Sequence, residues 1–296
     1  MKPYLLLLLL CCFSFNLFAQ IPVDPTAQPD FSMENVNFNS AGVTLAGTIY
    51  KPRHPQAAIV LVHGSGQETR MVKMASLLAK KGIAVFTYDK RGVGKSGGMY
   101  AGPEVGTNNI DSVNLHLLAL DASAASIALL SNLPANHGPL GLMGFSQAGW
   151  IIPMAAKINP NVNFMILFSG PIVTTLEQLR FQFYTQGQSD FWDTHKEADA
   201  REHIRNDPDR YQFTATDPSD PLAKLSIPGL WLFGGKDIQV PVNLSIERLE
   251  VLKAQGKPYV YRVFPELGHD ISFSKSQEPV DAAIEWIEII AARKKL

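Results

Sequence analysis

The chain has 296 residues, 46% of them hydrophobic and 18% charged, and its 26 basic and 27 acidic side chains leave a formal charge of −1. A chain of this length buries a substantial core, and a near-neutral one without a block of Lys or Arg offers no footprint for nucleic acid or for an anionic membrane. Composition therefore sets those two partner classes aside.

The opening MKPYLLLLLLCCFSFNLFAQ joins one positive charge at Lys2 to a short apolar core and a small residue at Ala19. This is the pattern of a secretory signal, with cleavage expected after Ala19 and a secreted or periplasmic destination. The apolar run falls short of the roughly 20 residues a membrane span needs and breaks at Ser14 and Asn16, so no stable anchor is expected after cleavage. Both cysteines, Cys11 and Cys12, lie inside this segment, which leaves the mature chain without a thiol or disulfide. Acylation of one of them is disfavoured by the bulky leucines before Cys11.

Beyond a polar stretch near 21–30, MENVNF and VTLAGTIY flank a turn at 39–42 and predict an antiparallel hairpin at a sheet edge. AAIVLV then reads as a strand buried on both faces, followed by a helical pattern through Met71, Met74, Leu77 and Leu78 that Gly82 closes. Strand signals recur at IAVFTY, LGLMGF, FMILFS, LWLFGG and YVYRVF, with helices expected over 113–132, after Ser146, over 243–254 and from 279. Strands alternating with helices predict a mostly parallel, doubly wound sheet of the α/β class.

Residues 171–228 break this rhythm, because they hold no buried-strand pattern but carry Phe181, Phe183, Tyr184, Phe191, Trp192 and the charged run HKEADAREHIR. A structureless loop of that length is improbable. The interval reads as an inserted helical lid whose aromatics form a small core of their own or reach a pocket. The expected organisation is a signal at 1–19, a first core segment at 20–170, the lid at 171–228 and a second core segment at 229–296.

Two serines compete as nucleophile. Gly94-Lys95-Ser96-Gly97-Gly98 is a literal Gly-x-Ser-x-Gly, but the preceding strand ends several residues earlier and the following glycines and Pro103 cannot begin a helix, so Ser96 reads as a loop residue. GFSQAGW places Ser146 between a buried strand and a helix, the strained turn that exposes a nucleophilic hydroxyl. Ala148 stands where glycine is expected, one methyl group larger in a crowded place.

The remaining groups follow in chain order. LWLFGG is followed by Lys236-Asp237 and YVYRVF by Pro265-Glu266-Leu267-Gly268-His269, which places an acid and then a histidine just past later strands. His269 would take the Ser146 proton, and Asp237 would hold the imidazole in the useful tautomer. Asp270 competes with Asp237, although neighbouring side chains on extended backbone diverge. The amides of Ser65, in His63-Gly64-Ser65-Gly66, and of Gln147 are the candidate oxyanion donors, each worth about 3 kcal/mol. The other histidines show no metal-ligand spacing, and no cofactor or metal is expected.

VTLAGTIYKP, VLVHGSG, YDKRGVGKSGG, GFSQAGW, GGKDIQVP and FPELGHD together resemble the α/β-hydrolase superfamily, in particular secreted bacterial esterases related to the dienelactone hydrolase and prolyl oligopeptidase groups. The resemblance covers nearly the whole mature chain. It implies a Ser146, Asp237, His269 triad, an oxyanion hole at Ser65 and Gln147, and a loop supported by Arg91 and Ser96. The expected activity is hydrolysis of carboxylic esters with small to medium acyl groups through an acyl-enzyme, with water as acceptor. A peptidase or amidase is the alternative, with Glu177, Glu197 and Glu202 as candidates to hold a substrate ammonium, and a non-catalytic binding module is the third class. Activity is expected to fall as pH drops through about 6 to 7.

Overall fold

The computed structural model describes residues 30–102 and 107–293. The expected signal segment, with Ala19 and both cysteines, lies outside the described residues. The chain begins with a hairpin of β1 (Phe31–Ser40) and β2 (Val43–Pro52), whose two-residue turn places both Ala41 (φ 44°) and Gly42 (φ 79°) in the left-handed region. Two such residues twist a turn in the sense that matches the flanking strands.

Six short apolar runs supply the rest of the sheet: β3 (Ala57–Val62), β4 (Ile83–Tyr88), β5 (Leu140–Phe145), β6 (Val162–Phe168), β7 (Gly229–Gly234) and β8 (Tyr259–Phe264). The strand order is β1-β2-β4-β3-β5-β6-β7-β8, with β2 antiparallel to both its neighbours and every later pair parallel. The expected edge hairpin and parallel sheet are both present.

Successive side chains on a strand point to opposite faces, and the helices sort accordingly. Ala58, Val60 and Val62 of β3 join one apolar cluster with α2 (Ser112–Ser131), α3 (Ala148–Ile158) and α8 (Val242–Ala254). Ala57, Ile59 and Leu61 join a second cluster on the opposite face with α1 (Val72–Lys80) and α9 (Glu278–Arg293). Each fully buried Leu, Ile or Phe in these layers contributes about 1.5–3 kcal/mol of hydrophobic stabilisation. The sheet is thus covered on both sides, as its continuous apolar strands require.

Between β6 and β7 lie four helices, α4 (Thr175–Thr185), α5 (Phe191–Thr194), α6 (Glu197–Asn206) and α7 (Ser219–Leu222). Phe181, Ala200 and Ile204 form a small core there with Tyr184 and Trp192 packed against it, while the charged run supplies the outer face of α6. The start of α4 is fixed by a capping box, in which the Thr174 hydroxyl accepts from the Glu177 amide and the Glu177 carboxylate accepts from the Thr174 amide. Arg248 on α8 holds the other Glu177 oxygen at 2.6 Å. That pair locks the rotation of α4, and hence which face it turns inward.

Candidate active site

Ser146 directly follows β5, and its backbone is left-handed, with φ 50°. A non-glycine residue in that region is strained and persists only where its surroundings over-determine it. Two hydrogen bonds do so: the Ser146 amide donates to the Phe168 carbonyl at 2.9 Å, and the Gly149 amide donates to the Ser146 carbonyl at 2.8 Å. The turn feeds straight into α3.

The methyl group of Ala148 fits because the residue opposite has none. A Cβ at Gly144 would stand 2.4 Å from Ala148 Cβ and 3.0 Å from the Val62 carbonyl. One glycine of the turn is dispensable and the other is not. Pro153 lies inside α3, which continues through it.

The acid and the histidine meet at the ends of β7 and β8. His269 Nδ1 is hydrogen-bonded to Asp237 Oδ2 at 2.8 Å. Asp237 is 1% exposed, and its other carboxylate oxygen accepts from the amides of Gln239 and Val240 at 2.7 and 2.9 Å. Asp270 is exposed and acts on the imidazole only through its charge. Burial lowers the His269 pKa, but the charge and hydrogen bond of Asp237, joined by the charge of Asp270, outweigh it and leave the pKa above its ordinary 6.5.

Glycines make that meeting possible. A Cβ at Gly234 would stand 2.0 Å from the Gly268 carbonyl oxygen, so the loops after β7 and β8 touch backbone to backbone. The Lys236 amide donates to the Leu267 carbonyl at 2.9 Å and seals the contact. The inserted helices brace the acid loop from outside, with Trp192 Nε1 donating to the Asp237 carbonyl and Thr185 Oγ1 to that of Ile238, each at 2.8 Å.

Ser146 and His269 sit at the same end of β6 and are tied to consecutive residues there. Phe168 holds the Ser146 amide, and the Ser169 hydroxyl donates to the His269 carbonyl at 2.6 Å. Among the described residues no hydrogen bond joins Ser146 Oγ to the imidazole, so the expected proton relay is closed at its Asp-His half and open at its Ser-His half. Such bonds are commonly long in the absence of substrate and tighten when it binds.

The amides of Ser65 and Gln147 have no acceptor among the described residues. Both residues line one cavity with Ser146. Beneath this pair lies a residue that sequence reasoning passed over. Lys90 is 2% exposed, and its Nζ donates to the Gly64 carbonyl at 2.6 Å, the Gly66 carbonyl at 3.3 Å and Gln147 Oε1 at 3.1 Å. It therefore pins both candidate oxyanion loops at once. The signal available was its place between two buried strand-end residues and Arg91, in a turn too tight to release a long side chain. Beneath the same loop His63 is buried, and burial with the nearby Lys90 charge lowers its pKa to about 3, so the ring is neutral.

Ser96 is a loop residue as expected; its hydroxyl donates to the Asp89 carbonyl at 2.6 Å and accepts from the Ala46 amide at 3.0 Å. Arg91 forms a buried two-pronged ion pair with Asp121. Both brace the loop after β4.

The cavity beside Ser146 has a volume of about 490 Å³ and reaches from the sheet edge to the inserted helices. Thr175, Gln178, Leu179, Gln182 and Phe183 line it, positions one helical face apart on α4. That periodicity was readable in the sequence and marks the face that the two expectations for the insert left open. Phe183 reaches the cavity, whereas Phe181 belongs to the insert's own core. No described lining residue is charged. Glu177 is paired with Arg248, Glu197 with Arg201 at 2.8 Å, and Glu202 is exposed on α6, so none of the three faces the cavity.

A hydroxyl on a strained strand-to-helix turn, near a carboxylate-supported imidazole and two free amides, is suited to attack on a carbonyl carbon. Solved structures with the same architecture include the esterase Pf2001 of Pyrococcus furiosus, at 18% identity and TM-score 0.60 over 87% of this chain and 89% of that one. The acylaminoacyl peptidase of Pyrococcus horikoshii matches at 19% identity and TM-score 0.63, over 90% of this chain but 42% of its own length. An acetyl xylan esterase from Paenibacillus sp. R4 matches at 15% identity and TM-score 0.60, over 90% of this chain and 86% of that one. These identities establish the shared fold. No curated protein matched the sequence. Residues 53–219, more than half of the chain, match the family model for serine aminopeptidase S33, and with the α/β-hydrolase architecture around Ser146 this places the protein in that hydrolase family.

Proposed function

We propose that the protein is a serine hydrolase that cleaves carboxylic esters with small to medium acyl groups. The observation that carries this reading is the strained Ser146 turn lying at the same strand end as the Asp237–His269 pair. In the proposed cycle Ser146 Oγ bonds to the ester carbonyl carbon as its proton passes to His269 Nε2. The carbonyl electron pair moves onto oxygen, where the Ser65 and Gln147 amides receive it. Collapse breaks the bond to the alcohol oxygen, which leaves with the proton from His269. Water then repeats the sequence on the acyl-enzyme, with His269 as base, and releases the acid. Asp237 keeps the imidazole oriented and stabilises its charged form throughout.

The uncharged lining favours an ester over an aminopeptidase substrate, whose free ammonium needs a carboxylate partner. The helices α4–α7 are assigned the role of a lid over this cavity. The leader pattern at 1–19 supports action outside the cytoplasm.

The family description and the acylaminoacyl peptidase neighbour favour a second reading, cleavage of amides by the same groups. One assay separates them: p-nitrophenyl esters of rising acyl length against aminoacyl anilides, with Ser146→Ala as control. The expected result is turnover of short and medium esters that falls by at least about 10³-fold in the variant. Faster cleavage of anilides than esters establishes the second reading, and equal turnover by both proteins rejects an enzyme centred on Ser146.

A further inference from the structure

The inward face of α4 carries one polar group that the protein leaves without a partner. Gln178 is 5% exposed and lines the cavity shared with Ser146, yet its Oε1 has no hydrogen-bond partner among the described residues. Its polar neighbours in the cavity wall are otherwise engaged. Gln147 bonds Lys90 and the Asn109 carbonyl, Gln182 donates to the Gln239 carbonyl at 3.3 Å, Thr185 donates to the Ile238 carbonyl, and the Thr175 hydroxyl accepts from the Thr216 amide at 3.2 Å. A buried amide oxygen left unpaired costs free energy that a ligand donor recovers on binding.

The capping box and the Glu177–Arg248 pair fix the rotation of α4, so Gln178 cannot swing its polar end to solvent by a turn of the helix. The surrounding wall is apolar at Leu179, Phe183, Trp150 and Ile238, and uncharged throughout its described extent. An isolated neutral acceptor in an apolar wall selects a neutral donor. A charged group entering there would lose its hydration with no opposite charge to replace it.

Building on the reading of Ser146 as the nucleophile, we propose that Gln178 is a specificity-determining residue and that the preferred substrates are neutral esters bearing a hydroxyl group, which donates to Gln178 Oε1. Such a site rejects the analogue that lacks the hydroxyl, because the amide oxygen then stays buried and unpaired. An apolar pocket alone would prefer the unsubstituted chain.

The test compares matched pairs that place the hydroxyl on either side of the ester: p-nitrophenyl butyrate against p-nitrophenyl 3-hydroxybutyrate, and butyl acetate against 3-hydroxybutyl acetate. The full-length protein is expected to favour the hydroxylated member of at least one pair by about tenfold or more in kcat/KM, the factor of one well-placed hydrogen bond. Gln178→Leu and Gln178→Met are both expected to bring that ratio close to one. A wild-type ratio near one for both pairs overturns the proposal, as does a preference that survives in either folded variant. Should no ester be turned over, the ester reading fails by itself. Calorimetry on Ser146→Ala with the same pairs then decides the role of Gln178, with the same tenfold difference in affinity expected and its absence equally fatal.

Discussion

The Ser169 hydroxyl donates to the His269 backbone carbonyl across 2.6 Å, and Ser169 directly follows Phe168, whose own carbonyl accepts from the Ser146 amide. The nucleophile turn and the histidine loop, 123 positions apart in sequence numbering from 146 to 269, are thereby referenced to one strand end. Ser169 is itself left-handed, with φ 49°, so this junction holds strain beside that of Ser146. Removing the hydroxyl with Ser169→Ala frees the histidine loop without touching the imidazole. The expected result is a fall in kcat of about tenfold with little change in KM, since small misplacements of a positioned base are costly. Steady-state kinetics on a matched ester checks this, and a loss confined to KM would contradict it.

Gly234 is where the acid and histidine loops touch. An added Cβ there meets the Gly268 carbonyl oxygen at 2.0 Å, and backbone cannot yield as a flexible side chain does. Gly234→Ala is expected to lower stability by about 2 kcal/mol and to reduce kcat by about 10²-fold or more, because the strain is relieved by separating Asp237 from His269. Thermal melts and kinetics measured together check both effects. Full activity in a variant that is merely less stable would show that the two loops tolerate separation.

The sheet was legible because strands buried on both faces read as unbroken apolar runs, and AAIVLV, IAVFTY and LGLMGF each became a strand with no exposed residue. Ser146, Asp237 and His269 were legible for a related reason: each follows such a run directly, so locating the strand located the residue. What the sequence withheld were choices made by tertiary contacts. Asp237 and Asp270 stand equally near a strand end, and the pairing was decided by the Gly234–Gly268 approach. Lys90 reads as an ordinary surface charge until the loops carrying Gly64 and Gln147 close over it. Gln178 reads as one polar residue in a polar segment, and only the rotation of α4, set by Thr174 and Arg248, turns it inward. Ser169 gave no signal, since its partner is a backbone carbonyl 100 residues away.

The acid limb of the pH profile follows from His269. The imidazole accepts the Ser146 proton only when neutral, and Asp237 and Asp270 together outweigh burial and raise its pKa above 6.5. The protonated, inactive form therefore persists to higher pH than for an unperturbed histidine, and kcat/KM is expected to fall as pH drops through a value above 6.5, higher than the range read from sequence. Asp270→Asn removes one of the raising charges, so the limb should move to lower pH while the plateau rate holds. Asp237→Asn should instead depress the plateau by about 10³- to 10⁴-fold, because the imidazole loses its orienting partner. Rate profiles between the acid and neutral ranges check both, and an unmoved limb in Asp270→Asn would refute the charge argument.

Lys90 supplies the final prediction. Its ammonium bonds the Gly64 and Gly66 carbonyls on one side of the oxyanion site and Gln147 Oε1 on the other, all out of solvent. Lys90→Met keeps the length and loses the donors, leaving those acceptors unpaired and the two loops unlinked. The amides of Ser65 and Gln147 are then no longer held at one spacing, and an oxyanion forms only in the transition state. The expected effect is thus a fall in kcat of about 10²-fold with KM changed by no more than about threefold. Lys90→Arg should not restore the rate, since a planar guanidinium cannot place three donors around a point that an ammonium fills. A purely structural role predicts a lower melting temperature with normal kcat per folded molecule, so active-site titration of the folded fraction in Lys90→Met separates the two.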